Sequence, residues 1–502
     1  MQTNLERPGI ARTMLAAFAA LIFPVIAVVA QPAKSQPPAK SPPKPVTSAP
    51  APPLPGEDSD LPAAPTPASK RPDPKLGPYI ELSDTRHWIL QVKVRLNSDS
   101  SDQLPSQHAP GEKPPALRDI HPFDFTRLAI VFPALERTAG SESKIRAISG
   151  MLSFGRETVS EEPVLMEGLY HSGVKLVRFE AGDAATPQHP RVVELQLEIP
   201  VACSKTTFDD EAAMKLDWPK GPWPVVAAST FQPQMFVDVG LDDRGATAAY
   251  DDKEIKALIG RALAMAKATD PKSIRPVKLA KVLARQICEE IQPSGMGQGY
   301  RHATGELAGI DVRPALETLT KRKGSEHDIT ALAAWTFRKA GLPTRTVFGF
   351  DATSKLGDQS GIFSDPGGQK RVRSWIEFCL YDEEKNTINW IPVDIPAMRK
   401  AGSRPRSLDA PVRCLGTHED LRAIVPFALH FHPPTDVIAY QVPGFWGWYV
   451  TPQAPANALQ AITFLVKGAP NRAAPDDKSG QPGVQGDKAK ADKKAKKKKD
   501  LD

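Results

Sequence analysis

Residues 324–394 constrain the fold of this chain more than any other stretch. They open G-S-E-H-D-I-T-A-L-A-A-W-T-F-R-K-A-G-L-P-T-R-T-V-F-G-F, continue after a loop as R-S-W-I-E-F-C-L, and close N-W-I-P-V-D. Ser325-Glu326-His327-Asp328 has the form of a capping box with Asp where Glu is usual. The Ser325 hydroxyl can accept from the Asp328 amide, and the Asp328 carboxylate can reach back to the Ser325 amide. Ile329, Leu332, Ala333, Trp335, Phe337 and Ala340 then make the helix apolar around much of its circumference, the pattern of a centrally buried helix. Gly341 stops it. Residues 344–350, 374–380 and 389–393 are rich in β-branched and aromatic side chains and are expected to be strands.

The sequence before this stretch changes period. Residues 88–96 alternate, with Leu90, Val92, Val94 and Leu96 on one face and Gln91, Lys93 and Arg95 on the other. Residues 193–199 do the same. Period two with one polar face predicts half-buried antiparallel strands, and residues 128–132 and 174–179 are further candidates. Residues 76–240 are therefore expected to form a β-sandwich-like domain. Its histidines (His87, His108, His121, His171, His189) are scattered and suggest no ligand set. From about residue 246 the period becomes helical. Asp251 or Asp252 can cap a helix with Ile255, Leu258, Ile259, Ala262 and Leu263 inward. A second helix after Pro276 turns Leu279, Val282, Leu283, Ile287 and Ile291 inward and ends at Pro293. Residues 294–309 are expected to be a glycine-rich loop, and a short helical turn starts at Pro314.

The order helix, helix, capped helix, turn and strands resembles the core of a transglutaminase-like (papain-type) domain. Bacterial members of that superfamily show a G-x-C-x-[DE]-x-A opening, an R-x-x-G-[IL]-P-[AT]-R turn, an H-A-W-[VI]-E strand and a G-W-[VI]-P-V-D strand. Arg338 to Arg345 (R-K-A-G-L-P-T-R), Trp375-Ile376-Glu377 and Trp390-Ile391-Pro392-Val393-Asp394 match the last three. The similarity covers roughly residues 234–399. It implies an α+β chain: an antiparallel β-sandwich-like domain, then a transglutaminase-like domain over 241–400 whose central helix packs on an antiparallel sheet, then a β-rich extension over 401–470.

The superfamily's chemistry needs a Cys at the helix N-terminus, where the helix dipole favours the thiolate, a His to exchange its proton, and an Asp to orient the His. On this sequence the three positions hold Glu326, Arg373 and Asp394. Only Asp394 matches. No Cys lies between Cys288 and Cys379 and no His between His327 and His418, so a shift of register supplies neither group. Arginine stays protonated and cannot act as a base. A carboxylate at a helix N-terminus is favourable, and an arginine can pair with two carboxylates. A Glu326–Arg373–Asp394 ion network is therefore expected where the superfamily has Cys–His–Asp, against the plainer alternative of three unrelated charges. Ser325 and His327 make a poor dyad, because Ser325 is committed to the cap and successive helical side chains diverge by about 100°. No catalytic residue, cofactor or metal is expected.

The ends bear on location and partners. Arg7 and Arg12 precede an apolar run over residues 14–30 with small residues at its end, read as an export signal or an uncleaved anchor. Either places the rest outside the cytoplasm, in a periplasm or facing it. Residues 31–75 hold 15 of the 51 prolines and are expected to be a disordered spacer. The tail over 471–502 is expected to be disordered as well. Its last fifteen residues carry eight Lys and three Asp, 8 − 3 = +5 of the chain's net +6. They could contact anionic lipid or wall polymer, though a solvated end is the plainer reading. The remainder is nearly neutral, which argues against a nucleic-acid partner. The four cysteines show no metal-type spacing; one disulfide is possible, and Cys288 and Cys379 sit in apolar patterns that suit buried thiols. His430 and His432 share a strand face without an acid partner, and F-W-G-W-Y at 445–449 suits core packing better than a stacking surface. The reading that follows is an exported, catalytically inactive transglutaminase-like protein that binds a protein or peptide or serves as a scaffold in the cell envelope. The alternatives are an active transglutaminase or cysteine-peptidase-like hydrolase with a rearranged site, and a wall-attached spacer.

Overall fold

In the computed structural model the described residues are 74–97, 125–167, 174–182, 192–231, 252–295, 299–301, 307–310, 312–352, 362–365, 372–402, 407–429, 447–451 and 459–469. The export segment, all but the end of the proline-rich stretch, the Lys-rich tail, His430, His432, Phe445 and Trp446 lie outside them. Alternating sequence becomes long strands: β1 (Ile80–Asn97), β2 (Arg127–Leu135), β3 (Val164–Glu167), β4 (Val174–Gly182) and β5 (Val192–Phe208). The helical stretch becomes α1 (Lys253–Met265), α2 (Pro276–Glu290), α3 (Ala315–Lys321) and α4 (Glu326–Lys339). Strands β6 (Thr344–Asp351), β7 (Val372–Asp382) and β8 (Thr387–Val393) follow, then α5 (Ile395–Lys400), β9 (Ile424–Leu429), β10 (Gly447–Thr451) and β11 (Leu459–Gly468).

The chain is α+β, as the sequence predicts. β11, β1 and β5 lie side by side in the largest sheet, and β10, β2, β4 and β3 form a second. Leu90, Val92, Val94 and Leu96 from β1, Val193, Leu195 and Leu197 from β5, and Ile130 and Phe132 from β2 fill one core. Phe348 and Phe350 of β6, Phe427 of β9 and Phe464 of β11 belong to the same core, with the Phe427 and Phe464 rings 4.3 Å apart. The aromatic run at 445–449 contributes Trp448 from β10, fully buried in that core.

The third sheet has the order Lys75–Leu76, β8, β7, β6, β9. Its long pairings are antiparallel; only the two-residue strand at one edge runs parallel to β8. Helix α4 packs on this sheet. Every residue from His327 to Arg338 is buried, and Ile329, Leu332 and Phe337 share a core with Ile376, Phe378, Ile391 and the inward stripes of α1 and α2. Each such large apolar side chain contributes about 1.5–3 kcal/mol, so tertiary burial rather than helix propensity fixes α4. The capping box forms with Asp328 as its acid, and Gly341 takes φ +92°, the left-handed turn that ends the helix.

One sequence expectation is corrected. The glycine-rich stretch over 294–309 includes strands Gly299–Arg301 and Leu307–Ile310, which pair with each other and, through Leu307↔Ile462, with β11. That pairing is tertiary and leaves no alternation in so short a segment. In the extension expected to be β-rich over 401–470, a 3-10 turn spans Asp420–Ala423 and β9 begins at Ile424. All four cysteines are free thiols; Cys203, Cys379 and Cys414 are buried and Cys288 half-buried.

Candidate functional site

Helix α4 presents Glu326 as its first residue, β7 presents Arg373 near its start, and Asp394 follows the last residue of β8 as the N-cap of α5. The scaffold brings Glu326, Arg373 and Asp394 into one neighbourhood. Arg373 Nη2 donates to Asp394 Oδ2 at 2.6 Å, so one leg of the expected network is formed. The other leg is not as expected. Arg373 Nη1 donates to Asp351 Oδ2 at 3.1 Å, and the Glu326 carboxylate pairs with Lys400 at the end of α5. The register explains the change. Arg373 lies opposite Gly349 on β6, and Asp351 is its diagonal neighbour two residues on, within reach of a long side chain. Glu326 still raises the guanidinium's proton affinity through space, behind the larger effects of Asp394 and Asp351.

Asp394 is fully buried and has several tasks. Its Oδ1 accepts from Ala397 N at 2.8 Å and so caps α5. Its Oδ2 receives Arg373 and also lies 3.3 Å from His418 Nε2. Burial alone would raise this carboxyl; the Arg373 charge and the His418 hydrogen bond outweigh it and hold it well below the usual carboxylate range. His418 went unrecognised in the sequence because it stands 24 residues past Asp394. A loop brings it back: Cys414 and Gly416 adopt φ +64° and +75°. The backbone of His418 is then exchanged with Thr206 at the end of β5. Gly416 is needed there, since a Cβ would stand 2.4 Å from the Phe208 ring.

A second polar cluster backs the site. His327, in the first turn of α4, is 2 % exposed. Its Nδ1 lies 2.8 Å from Ser374 Oγ, next to Arg373 on β7. Ser374 Oγ donates to Thr330 Oγ1 at 3.1 Å, and Thr330 Oγ1 donates to Glu326 O at 2.9 Å. Burial pushes the His327 imidazole down to about 4, against the pull of Glu326 and Asp328 and with the help of Arg373. Ser325 is held in its cap, accepting from Asp328 N at 3.2 Å while Asp328 Oδ2 accepts from Ser325 N at 2.8 Å.

The remaining motif residues form a knot of their own. Arg345 Nη2 donates to Glu377 Oε2 at 2.7 Å and its guanidinium lies 4.2 Å from the Trp390 ring centroid. Glu377 Oε1 accepts from Ala139 N (2.9 Å) and Trp375 Nε1 (3.3 Å). Arg345, Trp375, Glu377 and Trp390 thus serve the scaffold.

Chemically, Glu326, Arg373 and Asp394 supply neither a thiol nor an imidazole. Burial pushes the Cys203 and Cys379 thiols far up, and burial followed by the Asp394 charge pushes Cys414 up to about 12. A reactive cysteine needs the opposite, a thiolate favoured by positive surroundings. Among the described residues no group of three or more His, Cys, Asp or Glu side chains is placed to hold a metal ion, and no helix is long and apolar enough to cross a membrane.

The transglutaminase-like superfamily model matches residues 273–395. No curated protein sequence matches. Among solved structures, the chain is similar to a candidate cysteine protease from Cytophaga hutchinsonii, with 11% identity, TM-score 0.42 and coverage of 79% of this chain and 95% of that one. It is also similar to the periplasmic domain of TgpA from Pseudomonas aeruginosa bound to ethylmercury, with 16% identity, TM-score 0.24 and coverage of 61% and 89%. The red sea bream transglutaminase gives 11% identity, TM-score 0.21 and coverage of 57% and 49%.

Proposed function

Residues 273–395 are a transglutaminase-like domain, and from that premise we propose that this chain is a non-catalytic member. It is exported, and it works as a peptide- or protein-binding or scaffolding module in the cell envelope. The observation that carries this reading is Arg373. A permanently charged guanidinium, bonded to Asp394 and Asp351, stands where the sequence resemblance puts the imidazole base. A carboxylate, Glu326, begins the helix where the thiol would stand. The basic, apolar N-terminal segment supports export, to a periplasm or to a membrane anchor facing it, and the Lys-rich tail supports contact with an anionic envelope surface.

The test is direct. Purified protein is incubated with a glutamine donor and an amine, and separately with a peptide library, with and without a thiol alkylator. Neither crosslinking nor cleavage is expected. Activity abolished by a single Cys→Ala change would overturn the proposal. The double variant Glu326→Cys with Arg373→His is expected to gain a thiol that alkylates near neutral pH, because the helix N-terminus and an adjacent imidazolium lower a thiol's pKa. The second reading, a hydrolase with a rearranged site, draws on one observation: His418 sits on Asp394. It requires that His418→Ala abolish whatever turnover the wild type shows.

A further inference from the structure

Three features behind the site converge on His327. It is buried, it bridges α4 to β7, and its bridge runs between the backbone positions that set Glu326 and Arg373. The donor order along the bridge is consistent in one direction only. Thr330 donates to the Glu326 carbonyl, Ser374 donates to Thr330, and the Ser374 oxygen is left to accept from His327. That assigns the Nδ1–H tautomer and leaves Nε2 as the basic nitrogen. The ring lies 5.9 Å from the Phe348 ring, between a helix and a sheet.

We propose that the His327–Ser374–Thr330 bridge is an acid-sensitive latch that holds the N-terminal turn of α4 against β7, and that protonation of His327 at Nε2 opens it. Burial decides the direction: an imidazolium would keep its Nδ1–H bond to Ser374, but at 2 % exposure its charge is cut off from solvent until the turn opens. Arg373 on β7 is a fixed positive charge on the same side. The first turn of α4 adds the positive end of the helix dipole. Glu326 and Asp328 on the ring's own helix act in the opposite sense, but both carboxylates are engaged. Glu326 pairs with Lys400. Asp328 accepts from Arg313 N at 2.8 Å and Ser325 N at 2.8 Å, with Arg313 Nε 3.6 Å away. Phe348 on β6 contributes no charge. A second cation here is disfavoured by burial and by Arg373, so taking up a proton favours separation of α4 from β7. Opening the latch would move Glu326 and Arg373 apart, so it would gate the face that carries them whatever that face binds.

The sign follows from linkage. The native state excludes the proton, whereas an unfolded histidine takes it up below about pH 6.5. Stability is therefore complete above that value and declines as pH falls from about 6.5 toward 4, by about tenfold in the folding constant per pH unit in between. The experiment is urea unfolding of the full chain between pH 7.5 and 4.5, wild type against His327→Asn, which offers Ser374 an amide but cannot titrate. Wild type is expected to lose stability relative to the variant by up to that tenfold per unit; parallel pH profiles overturn the latch. If the variant does not fold, exchange of the histidine C2 protons in the wild type, followed peptide by peptide by mass spectrometry, decides instead. His327 should titrate well below about 6.5 in the native protein, and amide exchange in the first turn of α4 and at the start of β7 should rise with the same midpoint. An ordinary histidine midpoint, or amide exchange independent of it, rejects the proposal.

Discussion

Arg345 and Arg373 face carboxylates of the same three-stranded region, yet they are set in different ways. Arg345 lies directly opposite Glu377 across β6 and β7, both are essentially inaccessible, and the guanidinium is also covered by Trp390 and bonded to Arg137 O at 3.2 Å. Glu377 spends its second oxygen on Ala139 N, in the turn between the short strands Arg137–Thr138 and Ser141–Ser143 that follow β2. Arg373 shares its guanidinium between Asp394 and Asp351, and Glu326 beside it pairs with an exposed lysine. The first cluster is closed and joins the transglutaminase-like core to the sandwich. The second is a chain of charges that compensate one another and runs from the buried Asp394 through Arg373 to Asp351, with the partly exposed Glu326 beside it. A buried ion pair gains little over a hydrophobic replacement, but removing one partner is costly. The two clusters should therefore respond very differently to the same kind of substitution.

The largest effect is expected from Glu377→Ala. It strands a buried guanidinium together with Ala139 N and Trp375 Nε1, and should cost about 3–5 kcal/mol in urea unfolding. A loss under about 1 kcal/mol, the range of an exposed pair, would erase the distinction between the clusters. Asp394→Asn comes next, at about 1.5–3 kcal/mol, the range for hydrogen bonds to charged groups, because Asp351 keeps one partner on Arg373. Its pH dependence has a definite sign. The folded carboxyl lies far below its unfolded value of about 3.9, so its stabilisation is present above about that pH and is lost as pH falls further. The wild type should lose stability faster than Asp394→Asn on acidification through that range, as followed by near-UV circular dichroism.

How much of this was legible in the sequence depends on whether the determinant was local. The capping box at Ser325–Asp328, the inward stripes of α1 and α2, and the alternation of β1 and β5 are local patterns, and each appears where the sequence places it. The motif residues Arg345, Glu377 and Trp390 identify the fold correctly because they are its internal braces. Asp351 and His418 were illegible because their roles arise from pairing. Asp351 is the diagonal neighbour of Arg373 only once β6 and β7 are in register. His418 reaches Asp394 only because Gly416 can turn in the left-handed region and Thr206, far earlier in the chain, holds the returning backbone. Glu326 shows the same limit. Its place at the helix start was evident, but its partner lies on α5, a helix capped by Asp394 itself.

The smallest expected effect is the most discriminating for the second cluster. In the Lys400–Glu326 pair the lysine side chain is 64% exposed and the carboxylate 31%. Such a pair gains little Coulomb energy in water and must hold two long side chains still, so Lys400→Ala should cost under about 1 kcal/mol. Its contribution should fade between low salt and about 1 M, where screening acts over roughly 3 Å. Lys400→Glu places a like charge beside Glu326 and should cost slightly more at low salt, converging with Lys400→Ala at high salt. Glu377→Ala, with its pair sealed from solvent, should keep its full cost at both ionic strengths. A salt-independent loss at Lys400 would mean that the Glu326 position is braced like the Arg345 knot, and that the face of the domain carrying Glu326 and Arg373 is part of its core.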